Sequence, residues 1–437
     1  MSMKKLFSII LVLFSVVLVS AQDFDSWFLN KTMRFDYYHA GNAESESIYF
    51  DEIIEEPYDA GSKTSLIDEF GYGNYRFRIM DKASGKLIYQ RCYCTLMNEW
   101  MTTPEAKTMQ KAMPESIVFP YPRKAVTLAI DARNKKNEFY ELYRKDIDPE
   151  SYFVRKTSPS LQYVDIAYQG NSEHCVDVVL IPEGYIEADK AQFMEDCKGF
   201  ADALFSYAPY GDNKARFNVR AVWAPSKDSG VSIPGEYVWK NTACKVTYYT
   251  FDSERYQMTD DMHNLRDIAA NAPYDYIYII SNSQKYGGGA IYNWYGISAA
   301  HIFSRPASTR KTYAHEFGHL LLGLGDEYVG GADTEMYIPG IEPWERNLTA
   351  LVDGKCKWGD MIDQKTPVPT PAPKDYDKYK EYNMSEWKLG AYEGGGYIEK
   401  GIYRPMPNCM MNWMHTQDLF CPVCDKAIRE YIEFLTK

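Results

Sequence analysis

From Gln22 to about Gln169 the chain reads as strand-rich, with runs in which polar and apolar positions alternate with period two, the period of a half-buried strand. Tyr75-Arg76-Phe77-Arg78-Ile79 shows it most plainly. Lys82 to Gly85 then supplies a turn, and Lys86 to Cys94 a second extended run, so a hairpin is predicted. Ala125 to Ile130, a polar turn at 134–137 and Phe139 to Tyr143 repeat the pattern. The many tyrosines here are read as sheet packing. From about Gly170 the texture changes. Val176-Asp-Val-Val-Leu-Ile181 reads as a buried-type strand, and Ala188 to Phe205 carries apolar residues at helical spacing. Phe217 to Trp223 and Tyr274 to Ile280 are further strands, with a helical stretch near Met262 to Ala270 between them. Gly287 to Gly289 opens another extended run, Ala290 to Ala300, and Thr366 to Pro373 should be a loop without helix. The expected class is α+β / α/β: an antiparallel β-sandwich-like domain over 22–169, then a layered α/β domain over 170–437.

One apolar run fits neither pattern. Leu6 to Val19 follows the basic pair Lys4-Lys5 and ends at Val19-Ser20-Ala21, small residues suited to a signal peptidase. The run is shorter than the roughly 20 residues of a spanning helix, so a cleaved leader over 1–21 is expected rather than a retained anchor. Export to a periplasm or to the cell exterior follows, with no later membrane span.

Composition adds exclusions. The 437 residues are 45% hydrophobic and 25% charged with a net charge of −12, values of an ordinary globular protein with little affinity for nucleic acid. Nine cysteines are compatible with an oxidising compartment, but an odd count leaves at least one unpaired. Cys421-Pro422-Val423-Cys424 has no second C-x-x-C to complete a metal site, so a disulfide or a buried thiol pair is the expectation.

The chemistry concentrates in His315-Glu316-Phe317-Gly318-His319. Residues four apart share a helix face, so both imidazoles can reach one metal ion while Glu316 reaches a water beside it. With 7 histidines in 437 residues, chance would produce H-E-x-x-H in roughly one such chain in a hundred. Phe317, Leu320, Leu321 and Leu324 fall on the opposite face, as a helix packed behind a site requires. Gly323 and Gly325 offer left-handed stop positions. A catalytic zinc takes three protein ligands and keeps a fourth position open. Asp326 and Glu327 are the candidates for the third. Asp326 is preferred, with Glu327 then orienting a histidine or the helix end.

The stretch His315-Glu-Phe-Gly-His-Leu-Leu-Leu-Gly-Leu-Gly-Asp-Glu-Tyr328 resembles the signature of the bacterial IgA-protease-type zinc metalloendopeptidases. Val179 to Gly184, Ala269 to Asp275, Gly288 to Asn293 and Gly401 to Pro405 are similar to that family as well, and so is the N-terminal β-rich region. The resemblance implies a zincin, metzincin-like catalytic domain. It also implies a methionine turn beneath the zinc, for which Asn408-Cys-Met-Met-Asn412 is the match, with Met411 preferred and Met410 the alternative. One departure stands out: metzincins usually place glycine three residues after the second histidine and a third histidine three further on. Here glycine comes one residue later and an acid replaces the histidine.

These parts together imply a secreted zinc metalloendopeptidase. His315, His319 and Asp326 would hold one Zn2+, and Glu316 would act as general base on a zinc-bound water. A peptide substrate would lie extended along the edge strand formed by Gly288 to Ala300, with His301 nearby. The alternatives are an exported binding or adhesion protein with an inactive zincin domain, and a zinc hydrolase acting on a non-peptide bond.

Overall fold

The computed structural model describes residues 24–300, 307–330, 337–338, 340–371, 388–412 and 419–437. The expected leader, His301 and the last two residues of the Thr366 to Pro373 loop lie outside the described residues.

The N-terminal region opens with a short helix, α1 (Phe24–Trp27), and the long strands β1 (Phe28–Gly41) and β2 (Glu46–Glu56). The two predicted hairpins follow as β3 (Tyr75–Asp81) with β4 (Leu87–Tyr93), and β6 (Val126–Arg133) with β7 (Phe139–Ile147). Helix α2 (Leu96–Trp100) and strand β5 (Lys111–Pro122) lie between them, and β8 (Val154–Lys156) closes the region. Gly85 takes φ 71° at the first hairpin turn, a conformation in which a Cβ is costly. The strands form two four-stranded sheets, ordered β5-β1-β2-β8 and β4-β3-β6-β7. All pairs are antiparallel except β2 with β8, which is parallel. Aromatic side chains from the two sheets meet, Phe35 with Tyr143 and Phe77 with Phe119, at centroid distances of 6.1 and 6.2 Å. This is the packing of a sandwich.

Strand β9 (Tyr163–Ala167) already belongs to the next layer, so the larger sheet starts before the boundary expected at 169. That sheet has six strands, ordered β13-β14-β12-β10-β11-β9. They are β10 (Val176–Glu183), β11 (Phe217–Val222), β12 (Tyr276–Ser281), β13 (Gly288–Ile291) and β14 (Tyr295–Ala299) together with β9. The inner four run parallel and the two edges antiparallel. Every residue of β10, β11 and β12 is buried, which accounts for their mainly apolar composition; the buried Asp177 of β10 is met by Asn218 and Arg220 of β11. Helices α3 (Lys190–Leu204) and α5 (Ala307–Leu322) pack on the sheet and on each other, while α4 (Met262–Ala269) packs against β10 and against β5 of the N-terminal region. Phe200 of α3 meets Tyr313 of α5 edge to face at 5.2 Å. A small hairpin, β15 (Tyr392–Gly395) and β16 (Ile398–Arg404), and the final helix α6 (Pro422–Thr436) complete the chain.

The run from Gly288 to Ala300, expected as one edge strand, is a hairpin of two. Only β13 lies at the edge, while β14 pairs on both sides. Asn293 at φ 50° marks the turn that the apolar pattern hid.

Candidate metal centre

Helix α5 carries the H-E-x-x-H residues, and its packing follows the pattern read from the sequence. Phe317, Leu320, Leu321 and Leu324 are all at most 1% exposed. Phe317 meets Tyr210, Phe217 and Tyr276, and an added Cβ on Gly296 of β14 would touch Leu320. The helix stops at Gly323, which adopts φ 65°. Its N–H donates to the His319 carbonyl, and the Leu324 N–H to that of Gly318. This left-handed termination reverses the chain toward the histidines. Gly325 does not take a left-handed conformation; it is small because a Cβ would sit 2.5 Å from Leu348.

The reversal brings Asp326 to the two imidazoles. His315 Nε2 and His319 Nε2 are 3.1 Å apart, and Asp326 Oδ1 lies 3.3 Å from the first and 3.4 Å from the second. Each far-side nitrogen is committed: His315 Nδ1 donates to the Met410 carbonyl at 3.0 Å, and His319 Nδ1 to the Leu324 carbonyl at 2.5 Å. Those bonds hold the ring protons on Nδ1 and turn both Nε2 lone pairs toward a common point. Lone pairs so close repel unless a cation lies between them. Zinc bonds of about 2.0–2.1 Å at tetrahedral angles separate ligand atoms by about 3.3 Å, so the triangle fits the ion.

The carboxylate and the two imidazoles are also strongly coupled electrostatically. Burial by itself would raise the Asp326 carboxyl, but the charge of His319 and hydrogen bonds from both imidazoles hold it far below the usual carboxylate range. Burial would lower the His319 imidazole, yet Asp326 outweighs it and pushes it up to about 9. Glu316 is raised by burial, a shift the two histidines moderate.

Glu327, the alternative third ligand, points elsewhere. Its carboxylate meets Asn347 at 2.9 Å and the thiols of Cys424 and Cys421. The expectation that it orients a histidine is replaced by this contact set.

The methionine segment lies directly under α5. The Met410 carbonyl receives His315, and the Met411 carbonyl receives the Glu327 N–H at 2.8 Å. Met411 is fully buried, and its sulfur would be 3.1 Å from a Cβ on Gly318, between the histidines.

Three further groups carry no sequence motif. Tyr397, in the turn of the β15–β16 hairpin, donates its hydroxyl to Asp326 Oδ2. The Gly396 N–H bonds the Asp326 carbonyl at 2.7 Å, and the Tyr397 N–H that of Tyr328 at 3.0 Å. Glu99 of α2 accepts the Tyr256 hydroxyl at 2.6 Å, and Tyr256 bridges to Gly288 at the start of β13. Burial pushes Glu99 up to about 7, against the Tyr256 hydrogen bond and the charge of His319. The N-terminal region thus places a carboxyl within the field of the histidines. A run of glycines around Tyr397 was the only trace of the first device, and Glu99 left none.

Comparison with known families agrees with this geometry. The family model described as IgA Peptidase M64 matches residues 164–387 and 377–432, and that of the Peptidase M64 N-terminus matches residues 23–144. The comparison with curated proteins gives no match. A mixed sheet backed by a two-histidine helix, with a carboxylate turned back onto it, is the framework of a metal-dependent hydrolase. The chain belongs to the IgA Peptidase M64 family, and it is a metallopeptidase.

Proposed function

We propose that the chain is an exported zinc-dependent endopeptidase with a metzincin-like catalytic domain, in which His315, His319 and Asp326 hold one zinc ion. The convergence of two Nε2 atoms and one carboxylate oxygen within 3.1–3.4 Å of each other, inside a metallopeptidase family, carries this reading. The Met411 sulfur beneath Gly318 supports the metzincin comparison. Export rests on the charge and apolar pattern of Met1 to Ala21. Among the described residues, no helix is long and apolar enough to cross a membrane.

When bound, zinc supplies Lewis-acid polarisation of the scissile carbonyl and lowers the pKa of a water. The protein's part is to place and protonate. The carbonyls of Met410 and Leu324 hold the Nδ1 protons, and Tyr397 holds Asp326 Oδ2, so the three ligand atoms keep their aim. Glu316, one step round the helix, takes the water's proton on its carboxylate and returns it to the departing amine nitrogen. A carboxyl raised by burial is a better base than an exposed one. An extended peptide aligns main chain to main chain with β13, and the Tyr256–Glu99 pair bounds the strand's first residue.

Hydrolysis of a peptide library tests this, with wild type against Glu316→Ala. The variant should keep its zinc and lose about 10²–10⁴-fold in kcat/KM. Zinc bound without any Glu316-dependent cleavage would sink the proposal.

A further inference from the structure

Behind the histidine site, four more side chains converge. Glu327, Cys409, Cys421 and Cys424 bring a carboxylate oxygen and three sulfurs within 4.8 Å of one another. Cys409 Sγ and Cys424 Sγ are 3.8 Å apart, and Glu327 Oε1 lies 3.2 Å from Cys424 Sγ and 3.9 Å from Cys421 Sγ. All four residues are at most 1% exposed. Glu327 Oε2 has no hydrogen-bond partner among the described residues. A buried carboxylate with one oxygen left over is costly.

We propose that Glu327, Cys409, Cys421 and Cys424 form a second metal site, structural in character and selective for a thiophilic divalent ion such as zinc. Zinc–sulfur bonds of about 2.3 Å at tetrahedral angles place sulfurs about 3.8 Å apart, which matches the Cys409–Cys424 separation. Four protein donors leave no open position, as in structural rather than catalytic sites. The surroundings suit thiolates. Cys421 caps α6, so Cys421 and Cys424 stand at the positive end of a 15-residue helix. The Cys421 N–H donates to Cys409 Sγ at 3.2 Å, and Arg404 places its guanidinium on the Glu327 carbonyl at 2.7 Å. Binding displaces the thiol protons to solvent and leaves the cluster's negative charge shared with the ion.

The rival state is a disulfide. All nine cysteines are free thiols in the structure, and 3.8 Å is well beyond the about 2.05 Å of a sulfur–sulfur bond. Closing any pair would leave the third thiol out of the bond and Glu327 Oε2 still buried without a partner, whereas one ion engages all four side chains. The C-x-x-C that lacked two ligands in sequence finds them in Cys409 and in the residue beside Asp326. That adjacency gives the site its task. It fastens the loop after α5, the methionine turn and α6 to one point, and so fixes the backbone from which Asp326 faces the histidines.

Elemental analysis and zinc-edge X-ray absorption on the purified full chain test the proposal, with zinc alone as the added metal. Wild type should hold two zinc ions per chain, with sulfur among the scatterers. The double variant His315→Ala/His319→Ala should keep one, now sulfur-dominated, which separates this site from the hydrolytic one. Replacing zinc by cobalt in that variant should give thiolate-to-cobalt charge transfer, and Cys421→Ser should abolish it. If Cys421→Ser does not fold, the wild-type and double-variant spectra still decide. Absence of sulfur scatterers from zinc-loaded wild type, or a disulfide among these three cysteines in its non-reduced mass, overturns the proposal.

Discussion

Asp326 and Glu327 are neighbours in sequence with opposite surroundings. One faces two imidazoles that keep it ionised, and the other faces thiols and an amide in a dry pocket. Asp326→Asn should therefore empty the histidine site and abolish hydrolysis, while Tyr397→Phe, which removes one hydrogen bond to Asp326 Oδ2, should weaken zinc binding about 10–100-fold. Zinc titration of both variants checks the ranking. His39 offers a test away from the metal. It is 1% exposed, with Glu115 at 3.1 Å and Glu46 at 2.9 Å on its two ring nitrogens. Burial lowers the imidazole, but the two carboxylates prevail and push it up to about 9. Its folded value lies above the about 6.5 of a free imidazole, so its stabilisation is complete below pH ~6.5 and is lost as pH rises through about 9. Melting curves across that window should fall for wild type and flatten for His39→Gln. At this scale the histidines, Glu316 and Asp326 were legible because metal chemistry demands fixed spacing on one helix and one turn. Tyr397 and Glu99 were not, since they reach the site from 71 residues beyond Asp326 and 157 residues before Tyr256.

Single elements do the positioning. Helix α5 ends where it does because Gly323 accepts φ 65° and because a Cβ there would strike the Trp344 ring at 2.5 Å. Gly323→Ala should cost on the order of 1–3 kcal/mol and lower the melting temperature by several degrees. It should also loosen zinc, since Asp326 depends on that reversal. Calorimetry with a zinc titration measures both, and an unchanged zinc affinity would refute the link. Periodicity made the two N-terminal hairpins, α3, α4 and β10 to β12 legible. It failed for the Gly288 to Ala300 run because β14 is buried throughout and the half-buried positions of β13 are Gly288 and Ala290, so no polar face interrupts the apolar pattern. Strands β1 and β2 escaped it too: charged residues such as Arg34, Asp36 and Glu56 sit buried within them and break the alternation.

Those buried charges belong to the whole molecule. Arg34 pairs with Asp36 and Glu56 in its own sheet and with Asp267 of α4 at 2.7 Å. The Cys94 N–H bonds the Tyr292 carbonyl at 3.0 Å, and Asn293 Nδ2 the Cys92 carbonyl at 2.9 Å. Buried side chains of both regions form one continuous core, from Phe24 to Leu435. The two sequence textures therefore describe one cooperative unit. Arg34→Ala, which strands two buried carboxylates, should destabilise the entire chain by about 3–5 kcal/mol. Calorimetry should show one transition moving down; two separate transitions would contradict the shared core. The bond from His315 to the Met410 carbonyl spans 95 residues, and it carries a consequence in time. As the chain is made, the histidine helix emerges long before the segment that orients it. A nascent or truncated chain lacks the brace that aims the imidazole, so proteolytic power arrives only with the final stretch of synthesis.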